Sequence, residues 1–195
     1  MNLAYMLKDK LYDYIVNYLY NREYSGDKVK RMYPQNDTLY ENVSKLMVPP
    51  TQITDRLYLG NAYNAINKEL LDELNIGLIV NVTKEIPNYY ENDDYQYVKI
   101  PIYDDNNASL REYFDRTAET IILYMLDNPD KNVFVHCYMG SSRSTTIVIA
   151  YLLHQCNFEK KILNIIDEIK TNRPHINLNL TFLEELDEWK KNKLA

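Results

Sequence analysis

The stretch Val133-Phe134-Val135-His136-Cys137-Tyr138-Met139-Gly140-Ser141-Ser142-Arg143-Ser144 constrains this chain more than any other. Val133 to Val135 is β-branched and aromatic and follows the turn-rich Asp127-Asn128-Pro129-Asp130-Lys131-Asn132, so it reads as a short buried strand. From Ser144 to Gln155, the side chains of Ile147, Val148, Ala150, Tyr151, Leu152 and Leu153 give apolar cover over most of a helix circumference, which reads as a buried helix. Residues 138–143 must therefore turn the chain from strand to helix. Successive backbone N–H groups in such a turn converge on one point, and the helix start adds its unpaired N–H groups and positive dipole end. Such a turn is a cradle for an anion the size of phosphate. Gly140 suits it, because without a Cβ the backbone can take a positive φ and close around a ligand.

Cys137 stands at the floor of that cradle. A free thiol titrates near about 8.5, and a helix N-terminus with a nearby cation favours the thiolate. The guanidinium of Arg143 is a planar fork that can hold two phosphate oxygens. Attack by the thiolate would give a cysteinyl phosphate, and the Ser144 hydroxyl can donate to the sulfur as it leaves. His136 is read as fixing the loop through its ring nitrogens, since an ionised thiolate needs no base. A metal site built from His136, Cys137, His154 and Cys156 fits poorly. Neighbours on a strand point to opposite faces, residues two apart on a helix diverge, and zinc-ligand spacing is absent. No metal is expected.

On these residues the chain resembles the cysteine-dependent dual-specificity protein phosphatases of the protein-tyrosine phosphatase superfamily. The family's loop reads H-C-x-x-G-x-x-R-S, and His136 to Ser144 matches every fixed position. Thr54-Asp55-Arg56-Leu57-Tyr58-Leu59-Gly60-Asn61 resembles the family's opening strand. Leu74-Asn75-Ile76-Gly77 followed by Ile79-Val80-Asn81-Val82-Thr83 resembles its helix-to-strand step. Ala150-Tyr151-Leu152, Arg173-Pro174, Asn179, Phe182 and Leu186 follow its later segments. The likeness covers about residues 51–190. Leu178 stands where a proline is usual and Glu185 where a glutamine is usual, both expected to lie away from the chemistry.

The resemblance implies catalysis by Cys137, Arg143, Ser144 and an aspartic acid from an upstream loop that protonates the leaving alcohol. It places His136, Tyr138, Met139, Gly140, Ser141 and Ser142 around the substrate phosphate, and it implies no cofactor. Lys99-Ile100-Pro101-Ile102-Tyr103-Asp104-Asp105-Asn106-Asn107 offers two candidate acids. In the family this Asp lies nine residues before the first aromatic of a Y-F or F-F pair; Tyr113-Phe114 is that pair, which selects Asp104 over Asp105. Adjacent negative charges favour the protonated form of either one. Without the Cys loop, the same stretch reads as a solvated acidic turn at Asn106-Asn107.

A chain of 195 residues is one domain, or one domain with an extension. No run is long and apolar enough for a membrane helix, and no secretory signal is evident. The net charge of −6 argues against broad nucleic-acid binding. Two cysteines, one with a catalytic reading, point to a reducing compartment; cytoplasmic placement is expected, with nucleus and virion left open. Most of a helix separates Cys137 from Cys156, which argues against a disulfide, and Cys156 reads as helix-end core packing.

Leu3, Leu7, Leu11, Ile15, Tyr18 and Leu19 recur at near-helical spacing, and a polar stretch follows over 21–45 with Lys28, Lys30 and Arg31. Pro49-Pro50 marks a boundary, giving an N-terminal extension over 1–50 and a catalytic domain over 51–195. The extension either packs back on its own domain or docks on a second copy as a homodimer contact. Within the domain the order is strand 57–59, helix 67–75, strands 78–82 and 97–102, helix 110–127, strand 133–136, then helices 143–156, 159–171 and 180–192. That alternation predicts an α/β fold, a central mainly parallel sheet flanked by helices with the loop at the carboxyl end of a strand. A phosphorylated protein is the expected substrate. Tyr138, Met139, Ser141 and Ser142 add no positive charge, which disfavours a phosphoinositide or an RNA 5′ phosphate. Retention of Cys, Arg and Asp together disfavours a phosphoprotein-binding module without turnover.

Overall fold

The computed structural model describes residues 48–91 and 95–195. The amphipathic helix expected over 3–20 and the polar stretch over 21–45 lie outside the described residues, as does their role as an extension. Five strands form one sheet: β1 (Thr51–Thr54), β2 (Leu57–Gly60), β3 (Ile76–Asn81), β4 (Gln96–Lys99) and β5 (Asn132–His136). Their spatial order is β1-β2-β5-β3-β4. Only β1 runs antiparallel to its neighbour; β2, β5, β3 and β4 pair in parallel, so the sheet is mainly parallel as predicted.

Alternation along the strands sorts side chains between two faces. Leu57, Leu59, Leu78, Val80, Val133 and Val135 enter the larger core, under α3 (Phe114–Asp127), α4 (Arg143–Gln155), α5 (Ile162–Asn172) and α6 (Leu180–Leu194). Ile79 and Phe134 enter a smaller core on the other face with Ala65 and Leu71, which come from the short helices α1 (Ala62–Ala65) and α2 (Lys68–Glu73). The near-continuous apolar reading of β3 and β5 follows from this cover on both faces. Helix α4 is buried over most of its surface, because it packs against β5 and β2 as well as against α3, α5 and α6.

Several boundaries move from the predicted ones. The helix predicted over 67–75 is α2, with the Asn67 side chain accepting from Leu70 N–H as its cap and Asn75 leaving in a positive φ of 48°. The strand predicted to reach 102 stops at Lys99. The helix predicted from 110 opens as a 3₁₀ turn over Arg111–Tyr113, and the one predicted from 159 starts at Ile162. Strand β1 and helix α1 were not predicted. Cys156 is half-buried at the end of α4, its thiol donating to Leu153 O, and is not core packing; it and Cys137 are both free.

Register fixes where the site lies. Gly60 of β2 and Asn81 of β3 both pair with His136, so the carboxyl ends of three strands meet at the start of the 137–142 loop. Two backbone bonds fasten that loop: Val82 N–H to His136 O at 2.8 Å and Ala62 N–H to Tyr138 O at 3.1 Å.

Candidate active site

The loop leaves β5 and runs straight into the first turn of α4, the strand-to-helix turn that the sequence predicts. Cys137 is buried at its floor, 1% exposed. Its sulfur accepts from the Gly140 N–H and from the Ser144 hydroxyl, each at 3.2 Å. Gly140 has φ 65°, and a Cβ there would run into Arg173 Nη2 and the Gly60 carbonyl. His136 lies behind the loop, stacked on Phe134 with centroids 5.5 Å apart, its Nδ1 3.3 Å from Cys137 O. Burial, joined by the charges of Lys99 and Arg143, pushes its pKa down to about 3, against a weaker opposing effect of the Cys137 carbonyl. The ring is therefore neutral near neutral pH, suited to holding the loop.

Arg143 is the first residue of α4 and is buried with its guanidinium among acceptors. Nη1 contacts Glu85 Oε1 at 2.8 Å and Oε2 at 3.0 Å, and it donates to Ile102 O at 3.0 Å. Nε stands 3.6 Å from Asp104 Oδ2. The geometry separates the two candidate acids. Asp104 turns toward the loop and accepts from the Ser142 hydroxyl at 2.9 Å. Asp105 turns back on its own segment and accepts from Asn107 N–H at 2.9 Å.

The remaining loop residues are held from outside. Arg173 is fully buried, and among the described residues it meets no carboxylate. It donates to Gly140 O at 2.8 Å, Met139 O at 3.4 Å, Pro49 O at 3.3 Å and Thr51 Oγ1 at 3.2 Å. Burial lowers its pKa to about 10, and the charge of Cys137 acts in the opposite sense. Ser141 donates to His175 O at 2.9 Å and accepts from Asn177 N–H at 3.0 Å. Ser142 accepts from Asn179 N–H at 3.2 Å. These bonds hold residues 139–142 while the Gly140 N–H points at the Cys137 sulfur. Tyr138 and Met139 are half-buried beside them.

Two features escaped the sequence reading. Glu85 reads as part of a polar turn before Pro87-Asn88, yet its loop is tightly held. Asn81 Nδ2 donates to Ile86 O and Asn88 Oδ1, Thr83 Oγ1 donates to Asn81 Oδ1, and Lys99 Nζ donates to Ile86 O. Leu178 and Glu185 also stand nearer the site than expected. Leu178 sits between the two residues whose N–H groups clasp Ser141 and Ser142, and Glu185 Oε2 accepts from Leu110 N–H at 2.9 Å, where the Asp104 segment ends. Among the described residues, no group of three or more His, Cys, Asp and Glu could hold a metal ion. No described helix is long and apolar enough to cross a membrane.

Comparison with known proteins agrees with this geometry. The family model described as "Dual specificity phosphatase, catalytic domain" matches residues 57–192. Human dual specificity protein phosphatase 1 is 36% identical over 146 residues, 75% of this chain and 38% of the relative. The Drosophila melanogaster protein phosphatase Slingshot is 34% identical over 145 residues, 73% of this chain and 13% of the relative. The chain thus spans well under half the length of these relatives. Human DUSP28 has the same fold with a TM-score of 0.69 at 22% identity, covering 76% of this chain and 97% of that one. The human tyrosine phosphatase-like serine/threonine/tyrosine-interacting protein matches with TM-score 0.69 at 25% identity, covering 75% of this chain and 99% of that one. With loop, sheet and relatives in agreement, this chain belongs to the dual specificity phosphatase family.

Proposed function

We propose that the protein hydrolyses phosphotyrosine and phosphoserine/threonine in phosphorylated proteins through a cysteinyl-phosphate intermediate. The observation that carries this reading is the sulfur of Cys137, held at 3.2 Å by both Gly140 N–H and the Ser144 hydroxyl, with Arg143 and Asp104 over the same loop. The loop amides and the Arg143 guanidinium bind the phosphate, and the thiolate attacks phosphorus. As the S–P bond forms and the P–O bond breaks, Asp104 gives its proton to the leaving oxygen. In the second step water attacks phosphorus, Asp104 takes a proton from it, and the sulfur departs as a thiolate stabilised by Ser144 and Gly140.

The absence of added positive charge at Tyr138, Met139, Ser141 and Ser142 supports a protein substrate over a phosphoinositide or an RNA 5′ phosphate. The joint presence of Cys137, Arg143 and Asp104 supports turnover over mere capture of a phosphoprotein. Two free cysteines, one of them the nucleophile, suit a reducing compartment such as the cytoplasm. We propose residues 1–50 as a homodimer contact; deleting them should turn a dimer into a monomer in solution, and an unchanged number of subunits would remove that reading.

Matched phosphotyrosine and phosphothreonine peptides, with wild type beside Cys137→Ser, test the activity. Release from both that vanishes in the variant is the expected result. No release from either by folded wild type would turn the reading toward lipid or RNA phosphates.

A further inference from the structure

We infer that Ser142 is the positioning residue of the general acid, fixing which oxygen of Asp104 carries the proton delivered to the leaving group. The inference rests on the phosphatase reading above and concerns the side chain of a residue whose backbone belongs to the phosphate loop.

A serine hydroxyl has one proton to donate and lone pairs to accept with. The Asn179 N–H can only donate, and at 3.2 Å it occupies a lone pair of Ser142 Oγ. The hydroxyl proton is then left to point at Asp104 Oδ1, 2.9 Å away. The direction of this chain is set by a backbone N–H, so it does not reverse when Asp104 gains or loses a proton. Oδ1 accepts in both states, and the transferable proton sits on Oδ2. Arg143 Nε stands 3.6 Å from Oδ2, beyond hydrogen-bond length, and has no hydrogen-bond partner of its own. Oδ2 is therefore the oxygen free to hold a proton and hand it on.

The source of the orientation is the 173–179 segment. It clasps consecutive loop residues: Arg173 on Met139 O and Gly140 O, His175 O and Asn177 N–H on Ser141, and Asn179 N–H on Ser142. Asn179 is itself fixed as the cap of α6, its side chain accepting from Thr181 N–H at 2.9 Å. Asp104 lies on an exposed segment with few other ties to the loop. Without Ser142 it keeps, among the described residues, the long approach to Arg143 Nε. In the first chemical step the Oδ2 proton passes to the leaving oxygen as the P–O bond breaks, and Ser142 holds the resulting carboxylate through Oδ1. In the second step the same oxygen takes a proton from water.

The test is kcat/KM for wild type, Ser142→Ala, Asp104→Asn and the double variant, on a phosphothreonine peptide and on 4-nitrophenyl phosphate. A poor alkoxide leaving group needs the acid; a nitrophenolate needs it far less. Ser142→Ala should lose about tenfold on the peptide and markedly less on the aryl ester. In the Asp104→Asn background the same change should cost less than about twofold, since residues acting as one unit are not additive. Ser142→Thr, which keeps the hydroxyl, should recover part of the loss. If the alanine variant does not fold, Ser142→Cys, near in size with a weak S–H donor, takes its place. An equal loss on both substrates, or a loss undiminished in the double variant, would mean that Ser142 only shapes the loop and would overturn the inference. So would full activity of Ser142→Ala on the peptide. An Asp104→Asn variant as active as wild type would instead overturn the mechanism itself.

Discussion

Both carboxylate oxygens of Glu85 lie on one guanidinium nitrogen of Arg143, at 2.8 and 3.0 Å, across 58 residues of chain. The pair is nearly dry, Arg143 5% and Glu85 17% exposed at the side chain. The same Nη1 also donates to Ile102 O at 3.0 Å. Breaking a buried pair strands the remaining charge, at a cost of about 3–5 kcal/mol in dry sites. Asp104 stays close to Arg143, so Glu85→Ala should cost about 2–3 kcal/mol in urea unfolding and lower kcat/KM about tenfold. Glu85→Gln, which keeps the acceptor oxygen, should lose less on both. A rise in kcat/KM for Glu85→Ala would mean that the carboxylate competes with phosphate.

The two aspartates of the acid loop should behave differently. Asp104→Asn should slow alkyl phosphate hydrolysis by about 10²–10⁴, the usual worth of a general acid. Asp105→Asn should change it by less than about threefold, because its carboxylate only closes a local turn onto Asn107 N–H. Rates on the phosphothreonine peptide settle the matter, and the reverse order would exchange the two roles.

Gly140 carries the loop's positive φ and the closest approach of backbone to Arg173. Gly140→Ala adds a Cβ where no room exists and strains a left-handed backbone. Stability should fall by about 1–3 kcal/mol and turnover should be lost. Thermal melting and phosphate release on the same preparation check this; near wild-type activity would show that the loop can relax.

His136 makes stability depend on pH. Its folded pKa, about 3, lies below the ordinary 6.5 because the charged ring is disfavoured by burial. Between these values the unfolded chain binds a proton that the folded chain refuses. The full contribution is present above about pH 6.5 and drains away as pH falls toward 3, at up to about 1.4 kcal/mol per pH unit. Urea unfolding from pH 7 to pH 4 should show this slope in wild type and a shallower one in His136→Gln. Equal slopes would place the acid sensitivity elsewhere.

The site was legible in the sequence where its chemistry is local. Val133 to Ser144 holds the strand, the turn and the helix start in one run, and its residues meet in the structure as their spacing required. Asp104 was reached only through its distance from Tyr113-Phe114; the carboxylate itself looks like any acidic turn. Glu85 was invisible because its meaning depends on Arg143, far along the chain, and its neighbours Pro87 and Asn88 signal a turn. Arg173 stood out only as part of a family pattern. Nothing in its neighbours tells that it lies fully buried with carbonyls and a hydroxyl for company. Strand β1 has one aliphatic residue, Ile53, closely following two prolines, and owes its form to pairing with β2. Helix α1 is only four residues long, too short for periodicity, and rests on the Asn61–Asn64 capping box.

A phosphate held covalently on Cys137 during turnover can be caught directly. Rapid acid quench during turnover of 4-nitrophenyl phosphate, followed by peptide mass spectrometry, should find a phosphate on the peptide containing Cys137 and none in Cys137→Ser, which should also release no phosphate. Turnover that persists in Cys137→Ser, with no phosphate on the wild-type Cys137 peptide, would contradict it.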